Sequence, residues 1–296
     1  MSANGVGELH GVHVPALDAV RERVDEALLG FLSDRRAELA GMDPAAATLV
    51  DEIVRVVVAG GKRIRPALCY WAHRAAGGLD DAPVVRAGAA LELLHTFALI
   101  HDDVMDGADE RRGVASTGAR YTAAAPPGAD PSRYGGAVAV LVGDLAAVLS
   151  EQLLRACGAS RSTLGRVMDR FDRMRVEMAA GQLLDLAAGE PGRSSPRVAS
   201  LKTGSYTAEG PVLIGCALAG ASGAVEAPLR VYAGLVGEAF QLRDDVVDGD
   251  AAPGEAARVD ELVRRAEAAV KGVGLDPEGR DRLIELAALL RFGGAA

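Results

Sequence analysis

Two Asp-Asp-x-x-Asp pentads constrain this chain more than any other feature: Asp102-Asp103-Val104-Met105-Asp106 and Asp244-Asp245-Val246-Val247-Asp248, each closing an apolar run with helical spacing. On a helix, side chains four apart share a face and those three apart lie beside it, so each pentad gathers its carboxylates on one side. Carboxylates gathered in this way repel one another unless a cation sits among them. Hard oxygen ligands at that spacing suit Mg²⁺, which takes one or two carboxylates, substrate phosphate oxygens and several waters. The implied ligand is a diphosphate held by metal. A single acidic helix end is better explained as a solvated face. Recurrence of the pentad after a second apolar run is what points to a site.

Pentads of this kind need helices to present them, and the composition agrees. Of 296 residues, 49% are hydrophobic and only 4% aromatic, with Ala, Leu and Gly prominent, which favours closely packed helices over sheets rich in Val, Thr and Tyr. The expectation is an all-α fold with one domain over 15–296 and a flexible arm at 1–14. Helices are expected at about 15–40 and 44–59, from Pro66 to the Gly77-Gly78 pair, and at 82–105, 136–157, 161–188, 196–207, 209–221, 226–247, 257–271 and 277–291. The stretch 123–136, with Pro126, Pro127, Gly128 and Pro131, reads as the clearest loop.

A formal charge of −9 argues against nucleic acid as a partner, since phosphate backbones need a basic face. Cys69, Cys157 and Cys216 are scattered and odd in number, which argues against a disulfide framework or a zinc site and fits a reduced cytoplasm. The first residues lack a basic region followed by an apolar run. The apolar stretches 137–149 and 211–225 are short and interrupted by Asp144 or glycines, so neither a signal peptide nor a membrane span is expected.

Two basic elements accompany the pentads. Gly60-Gly61-Lys62-Arg63-Ile64-Arg65-Pro66 packs three cations into four residues after a helix-ending glycine pair, and Lys and Arg supply a point charge and a bidentate fork for phosphate. Only three lysines occur among 32 basic residues: Lys62 in this turn, Lys202 in Leu201-Lys202-Thr203-Gly204, and Lys271 on a polar tail helix, where solvent exposure explains it. Arg111-Arg112-Gly113 follows the first pentad at once. It reads either as a surface salt-bridge patch or as an anion clamp, and the neighbouring motifs favour the clamp.

With these pieces in order, the sequence resembles the trans-isoprenyl diphosphate synthase (polyprenyl synthetase) family. The matching segments are GGKRIRP at 60–66, ELLHTFALIHDDVMDGADERRG at 92–113, LVGDL at 141–145, GQLLDL at 181–186, LKTGSYT at 201–207 and GEAFQLRDDVVDGD at 237–250. The resemblance implies a bundle of long helices around a central cavity, usually dimeric, acting on isopentenyl diphosphate and an allylic diphosphate. By motif position it implies that Asp102, Asp103, Asp106, Asp244, Asp245 and Asp248 hold Mg²⁺. Arg111, Lys202, Thr203 and Gln241 would meet the allylic diphosphate, and Lys62, Arg65, His95 and Arg112 isopentenyl diphosphate. Asp102, Asp103, Lys202 and Asp244 would carry the catalysis. Phe97, five residues before Asp102 and beside the small Ala98, resembles geranylgeranyl-forming members and implies a C20 product.

Two departures stand out. Val114-Ala115-Ser116-Thr117 replaces the family's Pro-Thr element, and Gly249–Ala257 lacks the lysine-bearing glycine-rich segment expected after the second pentad, so the C-terminal region reads as shortened. That shortening keeps open a weakly active or non-catalytic subunit that pairs with a complete synthase. A terpene cyclase would use the same pentads and metal but has no use for the intact basic turn.

Overall fold

The chain opens on a proline-started helix that buries one stripe and is reversed by a single residue. Helix α1 (Pro15–Met42) packs Leu17, Val20, Val24, Leu28 and Leu32 inward. Asp43 then ends α1 in extended backbone, and its carboxylate accepts the Ala45 N–H at 2.7 Å to start α2 (Pro44–Val58). The structure, a computed structural model, describes residues 14–111, 113–188, 200–249 and 254–292, without the side chains of Ala188, Ser200, Lys202, Thr203 and Asp248.

Nine further α-helices follow among the described residues: α3 (Ile64–Ala75), α4 (Asp81–Asp106), α5 (Thr117–Ala123), α6 (Pro131–Arg155), α7 (Arg161–Ala188), α8 (Gly210–Ala219), α9 (Gly223–Asp248), α10 (Glu255–Val270) and α11 (Pro277–Ala288). A π-helix at Ser200–Glu209 precedes α8. The long antiparallel pair α4 and α6 packs along its length, α3 lies along α8, and the π-helix is held between α7 and α9. The tail returns to the bundle. Helix α11 packs on α3, and the buried Tyr232 hydroxyl of α9 donates to the Leu283 carbonyl at 2.6 Å. Fully buried leucines and isoleucines such as Leu28, Leu32, Ile53, Leu93 and Leu94 each contribute roughly 1.5–3 kcal/mol through apolar burial.

Three local expectations are corrected by packing and capping, and one linker without an expected element folds. Helix α3 starts two residues before Pro66, because a first-turn proline lacks only an N–H that has no helical partner anyway. Helix α6 starts at Pro131, within the stretch read as loop, because Asp130 caps it by accepting the Arg133 N–H at 3.0 Å. The linker after α4 folds into a two-stranded hairpin, β1 (Glu110–Arg111) with β2 (Val114–Ala115), followed by α5. The segment expected as an α-helix over 196–207 is a π-helix from Ser200 onward, and its first residues lie outside the described ones.

Most of the arm at 1–14 also lies outside the described residues, and its last residue, Val14, is buried in the core. Helices α4 and α6 are each long and apolar enough to cross a bilayer by length and composition, although Asp144 sits in α6; in the bundle their most apolar windows are 67% and 44% buried.

Candidate active site

The basic turn divides its cations between two jobs. Arg63, in left-handed conformation (φ 55°) at the start of α3, turns into the protein and is 8% exposed. Its guanidinium donates to Asp25 Oδ1 at 2.7 Å, Glu92 Oε2 at 3.0 Å and the Val57 carbonyl at 3.2 Å, so it ties α1, α2 and α4 together. Burial works against its charge, but Glu92 and Asp25 outweigh burial and raise its pKa. Lys62 is half-buried beside it.

Arg65, equally buried, serves the other side. It donates to Thr207 Oγ1 at 3.0 Å and stacks 4.5 Å above the Tyr206 ring, while its Nε has no hydrogen-bond partner among the described residues. The His95 ring lies 6.2 Å from the same tyrosine. Thr207 also lines an apolar cavity with Ile64, Leu68, Val236, Phe240 and Leu286.

Arg65 and His95 thus converge on the LKTGSYT segment, and the π-helix explains how. Its wider i→i+5 winding is rare and concentrates at functional sites. Here it turns Ser205 toward α7, where the hydroxyl donates to Glu177 at 2.5 Å, and Tyr206 and Thr207 toward α3. Its Gly204 backbone lies flush against Gly237 of α9; a Cβ at Gly237 would stand 3.1 Å from Gly204 Cα and carbonyl oxygen.

At the end of α4, Asp103 is 6% exposed and accepts Arg111 Nε at 2.6 Å. Burial pushes the Asp103 pKa up; Arg111 and, more weakly, Arg55 oppose the rise, Asp106 adds to it, and the net direction is upward. Asp102 is half-buried and Asp106 exposed. Arg111 is delivered by the hairpin, and the Val-Ala-Ser-Thr departure anchors that hairpin's exit. Ser116 caps α5 by accepting the Ala119 N–H at 3.2 Å, and Thr117 donates to Glu52 Oε1 at 2.9 Å. Glu52, 1% exposed, also gathers Arg55 at 2.6 Å and Arg120 at 2.9 Å. This Glu52–Arg55–Arg120 cluster escaped sequence reading, and only a glutamate at an otherwise buried position of α2 signalled it.

At the end of α9, Asp244 and Asp245 are half-buried, and Gln241 donates to Asp245 Oδ1 at 2.8 Å. The neighbouring Arg243 turns away to the tail. It donates to the Leu290 and Arg291 carbonyls at 3.0 and 3.3 Å and lies 4.7 Å over the Phe292 ring. Phe97 packs against the core and meets His101 edge-on at 4.7 Å. Arg112 and the side chains of Lys202, Thr203 and Asp248 lie outside the described residues.

Among the described residues, no three of His, Cys, Asp or Glu are set to enclose a metal. Mg²⁺ does not need such a cage, because substrate oxygens and water complete its shell. The observation that bears on fit is Asp103 itself: a buried carboxyl made harder to ionise by burial and by Asp106 has the environment that a divalent cation would relieve. Asp102, Asp103 and Asp106 therefore fit a magnesium ion chemically.

An all-α bundle with an acidic pentad ending each of two long helices and a buried cationic turn at a third defines an isoprenoid-synthase type of fold. A crystal structure of a geranylgeranyl pyrophosphate synthase from Corynebacterium glutamicum, complexed with isoprenyl diphosphate and magnesium, has the same fold, with a TM-score of 0.84, 27% identity and coverage of 92% of this chain and 98% of that one. The chain belongs to the Polyprenyl synthetase family, whose model matches residues 47–258. A geranylfarnesyl diphosphate synthase of Aeropyrum pernix is 28% identical over 232 residues, 76% of this chain and 65% of that protein. A geranylgeranyl diphosphate synthase of Methanosarcina mazei is 33% identical over 196 residues, 65% of this chain and 56% of that protein. The chain thus matches 56–65% of the length of these two relatives.

Proposed function

We propose that the protein is a magnesium-dependent trans-prenyltransferase that joins isopentenyl diphosphate to an allylic diphosphate, with geranylgeranyl diphosphate as its main product. The carrying observation is the convergence of Arg65 and His95 on Tyr206 and Thr207 of the π-helix, which itself lies flush on α9. Motifs more than a hundred residues apart are thereby assembled around one junction. The relatives' names differ in product length, so the C20 assignment rests on Phe97 with its small neighbour Ala98.

Lys62, Arg65 and His95 hold the diphosphate of isopentenyl diphosphate, while Arg111, Lys202, Thr203 and Gln241 hold that of the allylic substrate. Arg111 also fixes the rotamer of Asp103, so this carboxylate needs little reorganisation when charge grows nearby. Asp102, Asp103 and Asp106, with Asp244, Asp245 and Asp248, would hold magnesium, which would supply charge neutralisation for the departing diphosphate. The allylic C–O bond breaks with its electron pair leaving on the diphosphate, and the isopentenyl double bond donates its pair to the carbocation. A proton is then lost to the released diphosphate. The apolar helix walls exclude the water that would quench the cation.

A homodimer completes the proposal, supported by the exposed Val140, Leu141 and Val148 of α6, which flank the exposed Asp144 on one face of the helix. The test is incubation of the full chain with Mg²⁺, labelled isopentenyl diphosphate and allylic primers of increasing length. Geranylgeranyl diphosphate is expected. Absence of any condensation would overturn the reading, and a main product of C15 or shorter would overturn the length assignment.

A further inference from the structure

Helices α4 and α6 are pinned to each other by a polar contact near either end of their seam. Toward the start of α4, Ser150 Oγ of α6 donates to the Ala90 carbonyl at 2.6 Å, a buried bond that fixes the axial register of the pair. Toward the acidic end, His101 inserts its imidazole into α6 where Gly143 has no side chain. A Cβ at Gly143 would stand 2.2 Å from His101 Cδ2 and 2.4 Å from Nε2, against an ordinary contact of 3.4–4 Å. Nε2 lies 3.1 Å from the Val140 carbonyl oxygen. A carbonyl only accepts, so this nitrogen carries the proton and the tautomer is set.

Phe97, one turn earlier on the same face of α4, meets the seated imidazole edge-on with ring centroids 4.7 Å apart and planes at 65°. The histidine therefore does two things: it prevents the last turns of α4 from rolling over α6, and it walls one side of the phenylalanine. An empty notch would give Phe97 somewhere to tip. An overfilled notch would push the imidazole toward it.

We propose that His101, seated in the Gly143 notch, is a positioning residue for product length, because it holds the Phe97 ring that limits how far the growing prenyl chain extends. The proposal rests on the prenyltransferase reading and adds to it a determinant outside the substrate-contacting set.

Three variants test it by product distribution rather than rate, each checked for helicity by circular dichroism. His101→Ala is expected to lengthen the main product by at least one isoprene unit, since the vacated notch lets Phe97 tip away. Gly143→Ala is expected to shorten it, since the imidazole must move by about an ångström or more to regain contact distance. The double variant His101→Ala/Gly143→Ala is expected to return toward the wild-type length, because the new methyl group occupies the notch and blocks the tipping. A merely structural histidine would give additive losses of stability and no such reversal. A folded His101→Ala with wild-type product lengths overturns the proposal, as does a double variant no closer to wild type than His101→Ala. Should Gly143→Ala and the double variant fail to fold, His101→Ala alone decides. Wild-type protein that makes no prenyl diphosphate overturns the functional reading and this proposal together, an outcome distinct from active protein of unchanged product length.

Discussion

The two pentads differ by one apolar residue, Met105 against Val247, and each is followed by a glycine in left-handed conformation, Gly107 at φ 63° and Gly249 at φ 83°. Their surroundings are nevertheless unlike. At the end of α4 the chain turns into a hairpin that returns Arg111 onto a buried Asp103. At the end of α9 the neighbouring Arg243 donates to carbonyls of the tail, and the neutral Gln241 donates to the half-buried Asp245. A motif thus fixes which ligands are presented, and the residues that follow it fix how firmly. The first end is preset by burial and an ion pair, whereas the second is held by the far end of the chain.

The largest effect should come from breaking either end. Asp103→Ala and Asp244→Ala are each expected to cut turnover on the order of 10²–10³-fold, the scale of losing one preorganised electrostatic contact, with helicity retained. The amide swap then separates the two ends. Asp103 has a pKa raised by burial on folding, so its ionised form costs the folded state stability once the pH rises through the window above the ordinary carboxylate value. Asp103→Asn should therefore raise the melting temperature of metal-free protein near neutrality while abolishing activity, and Mg²⁺ should stabilise the wild type more than the variant. Equal melting temperatures with and without the swap would show that Arg111 already offsets the burial.

A smaller effect is expected at the second end. Arg243→Ala removes two bonds to carbonyls and the stacking on Phe292, a loss of about 1.5–3 kcal/mol by the usual worth of charged hydrogen bonds. Hydrogen exchange should speed up in α11 and at the end of α9, with the end of α4 unchanged. Equal acceleration at α4 would mean that the two ends are one unit and would break the comparison.

The sequence made the long elements plain for simple reasons. Asp43-Pro44 supplies a cap and a helix-starting proline, and the paired glycines at 60–61 and 77–78 supply stops, so α1 to α4 lie close to their expected bounds. Pro131 misled because a proline reads as loop unless the aspartate before it is seen as a cap. The hairpin strands, two residues each, are too short for any alternation. In the site, the basic turn was legible as charge, but nothing local says which arginine turns inward. That choice is made by Asp25 and Glu92, residues on other helices. The His101 notch was hidden for the same reason, since its two halves lie on α4 and α6, 42 residues apart in sequence, and meet only in the fold. The segment 196–207 was legible as a helix, but nothing in its spacing distinguished π from α winding.

The smallest expected effect lies between the two ends, where Ser205 ties the π-helix to α7. Burial alone would raise the pKa of Glu177, but the Ser205 hydroxyl and Arg173, at 2.5 and 2.9 Å, outweigh it and hold the carboxyl below its ordinary value. A carboxyl depressed on folding stabilises the native state above its unfolded pKa and loses that contribution as the pH falls through the depressed folded value. Ser205→Ala removes the hydroxyl donor and should therefore cost about 1.5 kcal/mol near neutral pH. The cost should shrink toward zero in acid, once Glu177 is protonated in both states. Urea unfolding at about pH 7 and about pH 3 measures the two limits. Both pentads should be unaffected in metal response, since the bond ties the π-helix to α7 and touches neither pentad. A cost that persists undiminished in acid would mean that the serine acts by packing alone, and that Glu177 reaches its depressed pKa through Arg173.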